Sequence, residues 1–488
     1  MWLSPWGNGL QVLELGEIQM KLGALSLRRT SLLLGTALLT GIAGFAGSSS
    51  AMSLKDAVGL VISTNPEVGV TVKDRRAIDY ELRQARALYY PQIDVRLDAG
   101  INFSENETTD TGNARTNQGV HDHGRWLYGQ RDAQVTLQQR IFDGFETDSE
   151  VERQKQRIAS AGQRVQDQGQ VSALDATQVF LDVQRHTERV ANAEENVRAH
   201  EETLRLVQRR AELGGGNVAD VRQAEARLAT ARTNLNEIQG DLRDARATFQ
   251  RVIGVEAQDL EAVTLDNSMI APTEEESVAR GLTTNPKVLL AQADVRVADA
   301  EIDKEAAPLY PRLDLEVIGN TNRHNNGRED TTYLATFLLV ARYNLYRGGA
   351  DLARVREFKW RKAEAQEQLR VQERAVAEDV RLSWSERDTQ RNRILTLTDQ
   401  VEANQNTRDV YAQQFDIGQR SLLDLLDATN ELFLSKNDLI TANYEEIFAN
   451  YRILASQGQL VQSFGVAFPT EATPGEAEFE TKAPGDGG

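Results

Sequence analysis

The chain is written twice. Asn65-Pro66 recurs as Asn285-Pro286 and Tyr90-Pro91 as Tyr310-Pro311, both at an offset of 220. After the second extended segment of each half the offset becomes 204. Phe142 then answers to Tyr346, Gly144 to Gly348, Gly214 to Gly418 and Asp220 to Asp424. A doubled unit held over this many landmarks predicts one structural element set built twice. The repeats are read as 52–271 and 272–467, with 1–51 and 468–488 outside them.

Each half has the same internal order. A short helix near 53–64 or 275–284 precedes a longer one that opens at Pro66 or Pro286, where proline suits the first helical turn. That helix ends at the Tyr-Pro, because proline disfavours helix in the residue before it and supplies no N–H to a ladder. Then come two strands, a very long helix, a glycine turn and a returning helix. No proline lies between Pro91 and Pro272, or between Pro311 and Pro469. A helix from about 147 to 213 would reach roughly 100 Å at 1.5 Å per residue. Val183, Val190, Val197, Leu204 and Ala211 recur at every seventh position in it. In the returning helix Val221, Ala224, Leu228, Ala231, Leu235, Ile238 and Leu242 alternate steps of three and four, a coiled-coil seam. Leu425, Ala428, Leu432, Leu439 and Ala442 keep the phase in the second half. Small knobs at many of these positions suit a wide, hollow arrangement.

The strands are placed at about 92–104, 129–142, 312–321 and 333–346. Ile93, Val95, Leu97 and Ile101 alternate with Asp94, Arg96, Asp98 and Asn102. Leu313, Leu315 and Val317 alternate with Asp314 and Glu316. Ten or more residues with one apolar and one polar face match a membrane-spanning barrel strand. Tyr90, Trp126, Tyr128, Phe142, Tyr310, Tyr333 and Tyr346 lie near the strand ends, where aromatic belts form. The competing reading is a soluble antiparallel sheet packed on one side. Four strands cannot enclose a lumen, and an open edge in lipid leaves backbone groups unpaired. A barrel must then be shared between chains, with 8, 12 or 16 strands. The loops 105–126 and 322–331 are expected to face the exterior.

Composition narrows the class. Lys21, Arg28 and Arg29, the apolar "SLLLGTALLTGIAGFAG" and the small residues ending at Ala51 form a secretory signal over 1–51. Met1 or Met20 can be its start, and an uncleaved inner-membrane anchor is the alternative. With no cysteine, the chain has no disulfide, no thiolate metal site and no lipid-bearing cysteine. A net charge of −18 disfavours nucleic-acid partners. The tail 468–488 is acidic and Pro/Gly-rich and is expected to be disordered.

No catalytic, cofactor or metal site is read. "GGGN" at Gly214 lacks the Lys-Ser/Thr of a phosphate loop and reads as a hairpin turn. His121 and His123 form an H-x-H pair in a polar loop with no third ligand in view. Asp424 and Asp427 lie at a helix start, where acidic side chains offset the macrodipole.

The doubled layout, the Tyr-Pro breaks, the Asn-Pro openings and "FDIGQRSLLDLLDATNELFLSKNDLITANYEEIFANY" at Phe415–Tyr451 resemble the TolC family of outer-membrane channel proteins, over essentially all of 52–467. The resemblance implies a trimer. Its twelve-stranded outer-membrane β-barrel, four strands per chain, would continue as a long α-helical barrel across the periplasm. It also implies an exit duct, not an enzyme, whose partners are outer-membrane lipid, a periplasmic adaptor (membrane fusion protein) and an inner-membrane ABC or proton-driven transporter. Cargo is protein in type I secretion, or small molecules in efflux; a soluble coiled-coil adaptor is the reading outside the duct class. The missing cysteine leans towards secretion or multipurpose export. Tyr90-Pro91 and Tyr310-Pro311 would mark where tunnel wall becomes barrel wall. By the same resemblance Asp424 and Asp427 project into a constriction at the periplasmic tip. The positions matching the family's gate are Arg420, Asp220, Phe415 and Ala219. A tyrosine expected at Phe415 and a threonine expected at Ala219 have lost their hydroxyls, so a clasp would rest on Arg420 with Asp220. The alternative for Arg420 is a solvent-exposed arginine beside a turn.

Overall fold

The computed structural model describes residues 51–104, 126–263, 270–323 and 331–473. Residues 1–50, which hold nearly all of the expected signal over 1–51, most of the segments 105–126 and 322–331 with His121 and His123, and the residues from 474 lie outside the described residues. The elements in order are α1 (Leu54–Thr64), α2 (Pro66–Ala87), β1 (Gln92–Ser104), β2 (Trp126–Phe142), α3 (Glu146–Glu212) and α4 (Val218–Ile253). The second set is α5 (Glu274–Thr284), α6 (Pro286–Ala306), β3 (Arg312–Arg323), β4 (Thr331–Arg342), α7 (Ala350–Asp416) and α8 (Leu422–Ser456).

The Asn-Pro pairs do the same work twice. The Asn65 Oδ1 accepts the Glu67 N–H at 2.8 Å, and the Asn285 Oδ1 accepts the Lys287 N–H at 2.8 Å. Each satisfies an orphan donor of the helix that its proline opens. Each amide nitrogen then donates to the far end of its own returning helix, Asn65 to the Val252 carbonyl and Asn285 to that of Ser456. Val252 and Ser456 are themselves repeat equivalents. The short helices are thereby tied to the hairpins at the broad core, where Val58, Val61, Phe180, Phe249, Ile253, Leu454 and Leu460 are buried. In the second half Val288, Val376, Val380, Trp384 and Ile453 pack together, and the Trp384 indole N–H donates to Ser277 Oγ at 2.8 Å.

The sheet is an antiparallel meander in the order β1-β2-β3-β4. Registers such as Asp94↔Thr136, Thr136↔Ile318 and Ile318↔Thr336 place even-numbered residues of all four strands on one face. Asp94, Arg96, Asp98, Gln134, Gln138, Asp314 and Glu316 line it. The odd-numbered face carries Ile93, Val95, Leu97, Val135, Leu137, Leu315, Phe337 and Leu339. This face is bare: Leu97 is 75% and Phe337 74% exposed. A bulge between Arg140 and Phe142 brings Phe142 opposite Leu313 and so onto the apolar face. On the polar face Asp314 is fully buried between Arg312 and Arg342, both at 2.9 Å, and Arg342 also reaches Glu316.

Several boundaries differ from the sequence reading: β2 starts at Trp126 and not at 129, β3 runs on to Arg323, and β4 starts at Thr331. β4 ends at Arg342 and not near 346, because its partner β3 starts only after Pro311 and the last pair is Arg312↔Arg342. The start of the segment expected to be disordered is ordered. Pro469–Thr473 lies against α2 and α3: Glu471 is buried on Arg76 at 2.6 Å, and the Gln166 amide donates to the Ala472 carbonyl at 2.8 Å. The acidic composition concealed one carboxylate with a cationic partner in the folded chain.

Candidate functional site

The two hairpin turns, Leu213–Asn217 and Ile417–Ser421, are repeat equivalents. Each long helix ends on a glycine in the left-handed region, Gly214 at φ 78° and Gly418 at φ 76°. Each returning helix is capped from the turn. Asn217 Oδ1 accepts the Ala219 N–H at 3.0 Å, and Ser421 Oγ accepts the Asp424 N–H at 3.2 Å. The turns part company at one position. A Cβ on Gly216 would come within 2.8 Å of the Ala211 nitrogen, so the first turn needs glycine there. Its counterpart in the second turn is Arg420.

An apolar cluster joins the hairpins at this end. Val207 and Ala224 from the first pack with Phe415, Leu422, Leu425 and Leu426 from the second. Phe415 is buried, and the Arg210 guanidinium lies over its ring at 4.5 Å. Arg210 also donates to the carbonyls of Phe415 at 3.0 Å and Asp416 at 3.1 Å. Those carbonyls belong to the last turn of α7, where a cation is favoured. The ring that lacks a hydroxyl is thus held by a cation over its face and by burial.

Arg420 stacks on Tyr411 at 3.9 Å, donates from Nε to Gln414 Oε1 at 3.2 Å, and lies 3.7 Å from Asp424. All three partners are in its own hairpin. Among the described residues it makes no ion pair with Asp220 inside the chain. Asp220 is half-buried in the first turn of α4, and Ala219 is exposed. Asp427, one turn beyond Asp424, pairs with Arg227 of α4 at 2.9 Å. Arg210 and Arg227 were not singled out by sequence reasoning. The usable signal was repeat asymmetry: their counterparts are Gln414 and Glu431, so both charges break the doubling. Beside Arg227 lies buried His200, whose pKa is depressed by burial and then by the Arg227 charge.

At the other end of α2 and α6, the Tyr90 N–H donates to Ala87 and the Tyr310 N–H to Ala307. Pro91 and Pro311 follow, and the strands begin at Gln92 and Arg312. Phe145 holds φ 69° where the second repeat has Gly349. Edge-on contacts to Phe142 at 5.3 Å and Tyr310 at 5.9 Å offset that strain. A Cβ on Gly144 would strike the Ala307 carbonyl at 2.6 Å, so the junction is closely packed.

A four-stranded sheet with one apolar face, continuous with two helical hairpins of this length, defines the outer-membrane channel fold. The solved outer-membrane channel OprN superposes with a TM-score of 0.70 at 19% identity, over 84% of this chain and 90% of that one. The chain belongs to the outer membrane efflux protein family, whose profile matches residues 57–255 and 279–459, one match in each repeat. It is a protein of the outer membrane, with its helical part in the periplasm. The chain is 25% identical to the outer membrane efflux protein BepC of Brucella suis biovar 1, over 67% of this chain and 72% of that protein. It is also 25% identical to the proteases secretion protein PrtF of Dickeya chrysanthemi, over 85% and 90%. The TolC-family resemblance read from the sequence is borne out by these matches.

Proposed function

We propose that three copies of this chain form a closed twelve-stranded barrel continuous with a helical tunnel, and that the trimer is the exit duct of a tripartite export system. The observation that carries this reading is the sheet. Its bare apolar face suits lipid, and its two free edges, β1 and β4, run in opposite directions. The β4 of one copy can therefore pair antiparallel with the β1 of the next, leaving no edge open in the bilayer. Closure alone allows other copy numbers; the family resemblance selects three. Substrate enters from an inner-membrane ABC transporter through a periplasmic adaptor, in type I protein secretion or multipurpose export. The likeness to PrtF over most of both chains supports that use. The likeness to BepC supports the second reading, small-molecule efflux with a proton-driven pump.

At the periplasmic tip, Asp424 and Asp427 form the constriction, and Arg420 meets Asp220 of a neighbouring copy as the gate. Fractionation with cross-linking tests the duct: a heat-modifiable trimer in the outer membrane is expected, and a soluble monomer sinks it. In a deletion strain, loss of a secreted protein with unchanged antibiotic sensitivity selects secretion. The opposite pattern selects efflux.

A further inference from the structure

We propose that Arg227 is the counter-ion of Asp427 and sets the charge selectivity of the tip. This rests on the reading of Asp424 and Asp427 as constriction carboxylates. The Arg227 Nη2 donates to Asp427 Oδ1 at 2.9 Å. The partners come from different hairpins, α4 and α8, and neither is in the apolar cluster that joins them. Both side chains keep solvent contact in the single chain, 40% for Arg227 and 51% for Asp427, so the pair lies at the rim of the seam between the hairpins. Asp424 is served differently. Its nearest cation, Arg420, stands 3.7 Å away and is already engaged by Tyr411 and Gln414. The doubled framework does not demand Arg227, because its counterpart is Glu431.

The consequence is electrostatic. Of the six carboxylates that three copies bring to the ring, the three of Asp427 carry a close guanidinium. A multivalent cation entering the ring must displace Arg227 or settle on Asp424 alone. The tip therefore attracts cations less than six open carboxylates would. Because the pair spans two hairpins, parting them also uncovers Asp427.

The test uses the full-length trimer in planar bilayers, with zero-current potentials in a KCl gradient and block by La3+ added at the tip side. Arg227→Gln is expected to raise cation preference and to tighten La3+ block by roughly fivefold, the scale of one exposed ion pair. Arg227→Lys keeps the charge and should behave as wild type, which guards against a folding defect. Adding Asp427→Asn to Arg227→Gln should erase the gain. A merely adhesive Arg227 would change conductance and leave the zero-current potential alone, which overturns the proposal. Asp424→Asn with Asp427→Asn separates the two failures. If that variant loses cation preference while Arg227→Gln changes nothing, only the counter-ion assignment falls. If neither moves selectivity, the constriction reading falls and takes the assignment with it.

Discussion

The helices α3 and α7 have the same length, 67 residues, and are repeat equivalents, yet they are packed very differently. Twenty-seven residues of α3 are buried and only seven of α7. The cause is position. α3 is flanked by α2, α4, α6 and α8, so it is covered along its length. α7 touches α5, α6 and α8 and forms an edge of the chain. Its bare side carries Trp360, Val371 and Leu382, evenly spaced at i, i+11 and i+22. Each such step is close to three helical turns, so the side chains lie in one row. Trp360 is 77% exposed. A repeat whose two copies are chemically alike thus makes one complete wall and one unfinished wall. The unfinished wall fits a neighbour.

That difference can be broken by charge. Val371→Asp with Leu382→Asp is expected to abolish the trimer in cross-linking and heat-modifiability assays while helical content by circular dichroism stays near wild type. A charge at Val179 or Phe180 of α3 should instead unfold the single chain, since an unpaired buried charge costs far more than a surface one. Equal effects at both helices would remove the edge argument for α7.

Much of this layout was legible in the sequence, for physical reasons. Proline cannot donate to a ladder, so Tyr90-Pro91 and Tyr310-Pro311 marked the breaks. Period-two alternation placed β1 and β3 at their observed starts, and period-seven seams gave the hairpins. The polar ties were not legible. Nothing local in Asn65 announces its bond to the distant Val252, and the pairing of Asp427 with Arg227 needs two hairpins docked in register. Glu471 looked like one more acid in a tail because its partner Arg76 lies on α2. Long-range polar pairs depend on side-chain placement, which periodicity does not encode. The Arg420–Asp220 link shows the same limit: inside one chain Arg420 turns to its own hairpin.

A second contrast between the walls lies near the starts of α3 and α7. Glu150 and its counterpart Arg354 carry opposite charges. Glu150 is mostly buried, 2.8 Å from Lys304 and 2.7 Å from Arg153. Burial alone would raise its pKa, but hydrogen bonds from Arg153, Lys304 and Gln154 outweigh that and hold it at about 2. Arg354 pairs with Glu305 but keeps its own side chain open to solvent. A carboxyl whose folded pKa is depressed stabilises above its unfolded value of 4.5 and loses that stabilisation as pH falls towards 2. Thermal midpoints measured over that window should therefore fall more steeply for wild type than for Glu150→Gln. Arg354→Gln should leave the stability curve close to that of wild type. Parallel curves for wild type and Glu150→Gln would show that the buried network does not carry the acid response.

The smallest expected effect is at the proposed gate between Arg420 and Asp220 of a neighbouring copy. Arg420 has five N–H donors in a planar fork. Its Nε is taken by Gln414, and Nη1 is the atom nearest Asp424. Its stack on Tyr411 orients the fork, and Nη2 is the atom proposed to bond Asp220 of a neighbouring copy. Such a pair would be partly exposed and contribute about 0.2–1 kcal/mol. Three around the ring bias closure by a few kcal/mol at most, which an adaptor's binding energy can overcome. Arg420→Ser should therefore raise single-channel conductance and admit large antibiotics without loss of trimer. Asp220→Asn should do the same more weakly, and the double variant should add nothing beyond Arg420→Ser. Additive effects would mean that the two residues act separately. Arg420 would then hold the tip through Tyr411, Gln414 and Asp424 inside its own hairpin. Phe415→Tyr probes the same step from the buried side. Its ring already sits beneath Arg210, so a new hydroxyl should leave conductance unchanged or lower it, and a rise would show that the packing of Phe415 keeps the tip closed.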